Sequence, residues 1–197
     1  SLPFLKTFAQ QLRYNPTDEG IKEKANNAVE LLIQQVCAGT LKVDGNCYSF
    51  EEFAKNAVVL YPYLNDEVKG LVGYVLYVHN AFRIFWEPVY DQAYQLANGT
   101  INTDVMYNLG TAIMVFAANQ TDPDERYRWM RGFQRWVERF ASYTYGTADG
   151  VKIDGTGFHH WSAYDGYMYS FQTACHAIYY LTGTAFQINK ENYYGSR

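Results

Sequence analysis

Very little in this sequence of 197 residues can hold a metal ion, cross a membrane or track a nucleic acid. The three cysteines, Cys37, Cys47 and Cys175, are odd in number and lack metal-ligand spacing, so they imply neither a zinc site nor a disulfide framework. There is no HExxH motif and no CxxC pair. No apolar run is long enough to span a bilayer, and the opening SLPFLKTF does not read as a secretion signal. Sixteen Lys and Arg stand against twenty Asp and Glu, a formal charge of −4, and no basic stripe follows a phosphate backbone. Nucleic acid and membrane are therefore excluded as expected partners. A polyanion still fits if a few arginines are focused in one cleft. Convincing strand alternation is lacking as well.

What the chain has in surplus is aromatic residues, 18% of the total, with 19 Tyr, 12 Phe and 4 Trp. Tyrosine joins an apolar body to a polar tip, which suits a cleft for polar ligands such as sugars. Most such rings, taken one at a time, fill helix interfaces.

Helix signals run through the rest. TDEGIKEKANNAVELLIQQVCAG opens on a Thr/Asp cap and closes at Gly39. Its apolar residues Ile21, Ala25, Ala28, Leu32 and Val36 share one face. Ser49 and Glu52 form a capping box for FEEFAKNAVVLYPYL. A long pattern from Asp66 to about Asn98 is kinked or split at Pro88. NTDVMYNLGTAIMVFAAN follows, then DPDERYRWMRGFQRWVERFASY with Pro123 in its first turn behind Asp122. A last helix is predicted from about Met168 to Thr182, ending near Gly183. Helices of this length with short connections pack as antiparallel hairpins. The expected class is all-α, with residues 1–197 as a single domain.

One stretch breaks the pattern. DGTGFHHWSAYDGYMYSF, residues 154–171, brings glycines, two histidines, a tryptophan and several tyrosines between two helices. Loops on a rigid helical scaffold are where binding and catalytic groups concentrate. His159 and His160 are adjacent and cannot easily converge on one metal ion. No serine elbow supports a nucleophilic triad. There remain His160 and Tyr167, seven residues apart, among Trp161, Tyr164 and Tyr169. Histidine moves protons near neutrality, and tyrosine does so when nearby cations lower its pKa. Composition alone still leaves a packed polar loop, with a satisfied structural histidine, ahead of a catalytic one. A glycoside hydrolase would need two carboxylates across a cleft, and Asp149, Asp154 and Asp165 are the loop's candidates.

From about Asp104 to Ile188 the chain resembles the toroid domain of polysaccharide lyase family 8, closest to its chondroitin sulfate ABC lyases. The residues that carry the resemblance are DGTGFHHWSAYDGY, then SF, then AIYYLTGTAFQI. It implies an incomplete (α/α) toroid of antiparallel helical hairpins. It further implies a lyase that cleaves uronic-acid linkages of chondroitin, dermatan sulfate or hyaluronan by β-elimination. His160 and Tyr167 take the places of the family's catalytic histidine and tyrosine. His159, Trp161, Tyr164 and Phe158 fall where substrate would be bound, with Phe158 equally suited to anchoring the loop. His159 stands where some relatives carry arginine, and Asn108 is only roughly placed to match the family's asparagine, in a context, MYNLGTA, that differs. The family's downstream arginine and glutamate have no counterpart before Arg197, so a fragment of a larger multidomain lyase is expected, with the remaining domains as partners. No cofactor is required by the resemblance, a divalent cation such as calcium being the one optional aid. The implied setting is secreted or periplasmic in a bacterium, and the implied partner is a glycosaminoglycan. A non-catalytic carbohydrate-binding helical module is the alternative that the same aromatic loop supports.

Overall fold

The computed structural model describes residues 3–41, 55–79, 100–146, 150–159, 162–163 and 168–189. Among these residues the chain is mostly helical, as the capped amphipathic patterns predict, with one small sheet. It divides into two compact units, Ser1–Ala81 and Phe82–Arg197.

The first unit contains α1 (Pro3–Tyr14), α2 (Glu19–Cys37) and α3 (Asp66–His79). Between α2 and α3, residues 55–60 are helical and run into a 3-10 turn, Tyr61–Tyr63. Leu5, Ala9 and Leu12 recur along one face of α1 and are buried. Asp18 caps α2, its carboxylate accepting the Ile21 N–H at 3.0 Å. The buried face of α2 is Ala25, Val29, Leu32, Ile33 and Val36. Three of the five face residues expected from spacing are in it. Ile21 and Ala28 are only half-buried, because the stripe that packs is centred one step away, on Val29 and Ile33. Asn26 ties α2 to the start of α3. Its side chain donates to the Lys22 carbonyl at 2.8 Å and accepts the Asn65 N–H at 2.9 Å. Asn65 in turn accepts the Val68 N–H at 2.9 Å and so caps α3. The expected capping pair Ser49 and Glu52, and the break at Pro88, lie outside the described residues.

The second unit contains α4 (Thr100–Ala118), α5 (Pro123–Ala141) and α6 (Met168–Leu181). Asp122 caps α5 as expected, accepting the Asp124 and Glu125 N–H groups at 2.8 and 2.9 Å, with Pro123 in the first turn. Four residues join α4 to α5, which makes them an antiparallel hairpin. Their contact is aromatic: Phe116 meets Trp129 edge-on, with ring centres 4.8 Å apart. α5 buries Phe133, Trp136, Val137 and Phe140 on its inner face. Such side chains contribute about 1.5–3 kcal/mol each to stability. Against α6, α4 comes very close at Gly110, where a Cβ would sit 2.9 Å from Thr173 Cγ2. After α6 the chain turns at Gly183, whose φ of 76° suits glycine. The following segment is then tied back to α5. The buried Gln134 side chain donates to the Gln187 carbonyl at 2.8 Å, and Glu138 accepts the Asn189 N–H at 3.1 Å.

Candidate active site

The loop between α5 and α6 is closed at its base by the helices that bear it. Phe140, in the last turn of α5, packs on Phe171, in the first turn of α6, with ring centres 5.2 Å apart. Ser142 ends α5 by donating its hydroxyl to the Glu138 carbonyl at 2.9 Å. Beyond it the chain does what the sequence pattern did not suggest and forms a sheet. β1 (Gly150–Val151), β2 (Gly157–His159) and β3 (Ser162–Ala163) pair antiparallel in that order. Gly150 opposes Phe158, Phe158 opposes Ala163, and His159 opposes Ser162. Strands of two or three residues carry no readable alternation, which is why periodicity missed them.

The β1–β2 turn is built from Asp154 and Gly155. The Asp154 carboxylate accepts both the N–H and the hydroxyl of Thr156, at 3.0 and 2.8 Å. Gly155 has a φ of 84°, and its N–H donates to the Lys152 carbonyl at 2.8 Å. These bonds, the Thr156 N–H first and its hydroxyl second, hold the exposed Asp154 carboxyl below the usual range. A glycosidase acid needs the opposite, a carboxyl raised by burial. Asp154 is therefore unsuited to that role; Asp149 and Asp165 lie outside the described residues.

A single cation organises the hairpin. Lys152 is the only Lys or Arg between Ser142 and Tyr167. Its ammonium donates to the Thr144 hydroxyl at 3.1 Å and to the Gly146 carbonyl at 3.0 Å. It also sits 4.5 Å from the centre of the Phe158 ring. Gly150 lets Thr144 approach: with φ at 123°, a Cβ there would lie 3.0 Å from Thr144 Cγ2. The linker after α5 is thus bound to the strand that leads into the two histidines.

Of the six site residues expected from sequence, the structure describes two. Phe158 is half-buried in β2 with the Lys152 ammonium over its face, and His159 is the last residue of β2. His160 and Trp161, which join β2 to β3 in sequence, and Tyr164 and Tyr167, which precede α6, lie outside the described residues. Lys152 itself was missed by reasoning on aromatic and titratable clusters. Its isolation as the one cation of the loop was the available signal. Among the described residues no three His, Cys, Asp or Glu side chains gather as a metal site, and no helix is long and apolar enough to cross a membrane. Cys37 and Cys175 are free thiols.

A family model described as a lyase catalytic domain matches residues 84–194, more than half of the chain and nearly all of the second unit. The chain belongs to that family, the catalytic domain of polysaccharide lyase family 8. No curated protein and no solved structure matches it. The match begins some twenty residues before Asp104, and it takes in α4, α5, the hairpin and α6 together. The loop that departs from the helical pattern is therefore an integral part of a lyase catalytic domain.

Proposed function

We propose that this chain cleaves glycosaminoglycans of the chondroitin and dermatan sulfate type by β-elimination, with Tyr167 and His160 as its proton-moving groups. The observation that carries the reading is the position of the hairpin inside the lyase match, immediately before residues 160–167. In the reaction a base takes the proton from C5 of the uronate. Electrons then form the C4–C5 double bond, the C4–O4 bond breaks, and O4 receives a proton. A proton beside a carboxylate is only weakly acidic, so the carboxylate must be neutralised and the developing enolate stabilised. Tyr167 takes the C5 proton as phenolate and returns it to O4. His160 supports the carboxylate, or serves as the base for the other C5 epimer. His159, Trp161 and Tyr164 complete the substrate surface, and the helices of the second unit belong to an (α/α) toroid. A secreted or periplasmic location follows from a substrate that is itself extracellular.

An unassisted phenol has a pKa near 10, so only about a thousandth of it is ionised at neutral pH. Cations around Tyr167 must lower that value, and the rate should climb with pH until the phenol is ionised. The test is ultraviolet absorbance of the unsaturated uronate product when the full reading frame containing this chain meets chondroitin or dermatan sulfate. Product formation that requires Tyr167 supports the reading. Tight polysaccharide binding with no product would instead make the domain a carbohydrate-binding module.

A further inference from the structure

The second unit has a cavity of about 530 Å³ at the end away from the hairpin. It is open on one side and is lined by the last turns of α4 and α6, the first turns of α5 and the segment after α6. α5 has 19 residues and is about 28 Å long, so this cavity and the hairpin sit at opposite ends of one helix. Its size falls within the range of small-molecule sites, about 300–1,000 Å³. The walls are aliphatic, formed by Met114, Val115, Ala118, Pro123, Met130 and Leu181. At the rim the rings of Tyr127 and Phe186 lie 5.8 Å apart.

Some polar groups on the lining are already bonded, while Tyr127, Tyr180 and Arg126 add their polar ends to it. The Asn119 amide donates to the Val115 carbonyl at 2.8 Å. The Thr184 hydroxyl donates to the Leu181 carbonyl at 2.7 Å and accepts the Phe186 N–H at 3.1 Å. Arg126 is the one charged residue on the lining. Among the described residues its guanidinium makes no ion pair, while nearby Glu125 is taken by Arg128 and Asp122 by the α5 cap. The lining is far more apolar than polar, so a sugar here would leave most of its hydroxyls facing carbon. An apolar body with one anionic head matches both the walls and the arginine.

We propose that this cavity binds a small amphipathic carboxylate, its apolar chain between α4, α5 and α6 and its head group on Arg126. The proposal is independent of the lyase reading, since none of its residues belongs to the hairpin.

Isothermal titration of the full chain with hexanoate, octanoate and decanoate tests it. One saturable site per chain is expected, tightening about fourfold with each added methylene until the cavity is filled. Arg126→Gln should weaken decanoate about tenfold and leave decanol unaffected. Ala118 is exposed at the end of α4, so Ala118→Trp can place a ring on the cavity wall without disturbing the core and should weaken binding of both at least about tenfold while the helical circular dichroism is unchanged. A flat chain-length series, or decanoate binding indifferent to both variants, would overturn the proposal. So would displacement of decanoate by chondroitin sulfate, which would make the cavity a sugar site. A chain that self-associates and becomes monomeric on Ala118→Trp would assign the face to a second copy and overturn it equally.

Discussion

In the second unit, the layer of α4, α5 and α6 buries Phe133, Trp136 and Phe140 almost completely, whereas of residues 150–158 only Gly150 and Gly157 are buried. The layer is held by apolar area, a force without direction that grows with every ring removed from water. The hairpin beside it is held by a few directed contacts: the Asp154 turn, the Lys152 ammonium and the close approach of Gly150 to Thr144. The difference implies a division of labour. Damage to the layer should cost stability, and damage to the hairpin should cost geometry, hence rate, with little loss of stability.

The largest effect expected on rate tests the proposed chemistry of the loop. Tyr167→Phe keeps the ring and deletes only the hydroxyl that the proposed mechanism uses to carry the proton, so the lyase rate should fall at least about a hundredfold. The melting temperature should stay where it was. An undiminished rate of product absorbance would remove tyrosine from the mechanism.

Next comes the layer. Phe133→Ala opens a hole in a fully buried position and should destabilise the domain by about 3–5 kcal/mol, read from urea denaturation. A cost below about 1 kcal/mol would mean that the layer is not the structural core the comparison takes it to be.

Lys152→Met separates the hairpin from the layer more finely, because it nearly keeps the length of the side chain and removes only the ammonium. The rate should drop about tenfold, as expected when reacting groups lose their alignment. Most of the change should appear in kcat, and Lys152→Arg should recover part of it. The melting temperature should move far less than in Phe133→Ala. If the two variants melt alike, the hairpin is structural and the division fails.

The smallest effect belongs to the cap of α5. The N–H groups of Glu125 and Asp124 hold the Asp122 carboxyl below its usual range. A carboxyl lowered in the folded state stabilises the fold above its unfolded pKa, and that contribution is lost as pH falls through the lowered folded value. Asp122→Asn keeps a good cap without the charge. The variant should therefore melt slightly below the parent at neutral pH, and the gap should close in acid. A gap that widened in acid would contradict the cause assigned to the shift.

Much of the helical frame was legible in advance for a local reason. Asp18 and Asp122 accept from N–H groups two or three residues on, and Pro123 fixes its own φ and needs no N–H partner, so caps can be read without knowing the fold. Periodicity located the buried face of α2 but missed its centre, since Val29 and Ile33 are chosen by neighbouring helices and not by α2 itself. The contact between α4 and α6 at Gly110 and Thr173, sixty-three residues apart, left no local mark at all.

For the site, the chain's own residue order pointed to the family. The run DGTGFHHWSAYDGY by itself marks the loop and its family, because chemistry needs particular side chains at particular spacings. Only the tertiary structure decided that the loop begins as a three-stranded sheet, that Lys152 rather than an arginine organises it, and that an aliphatic cavity lies at the far end of α5. Each of these depends on groups brought together from separate turns and helices, and the energy of such contacts is set by distance in space, which sequence order does not encode.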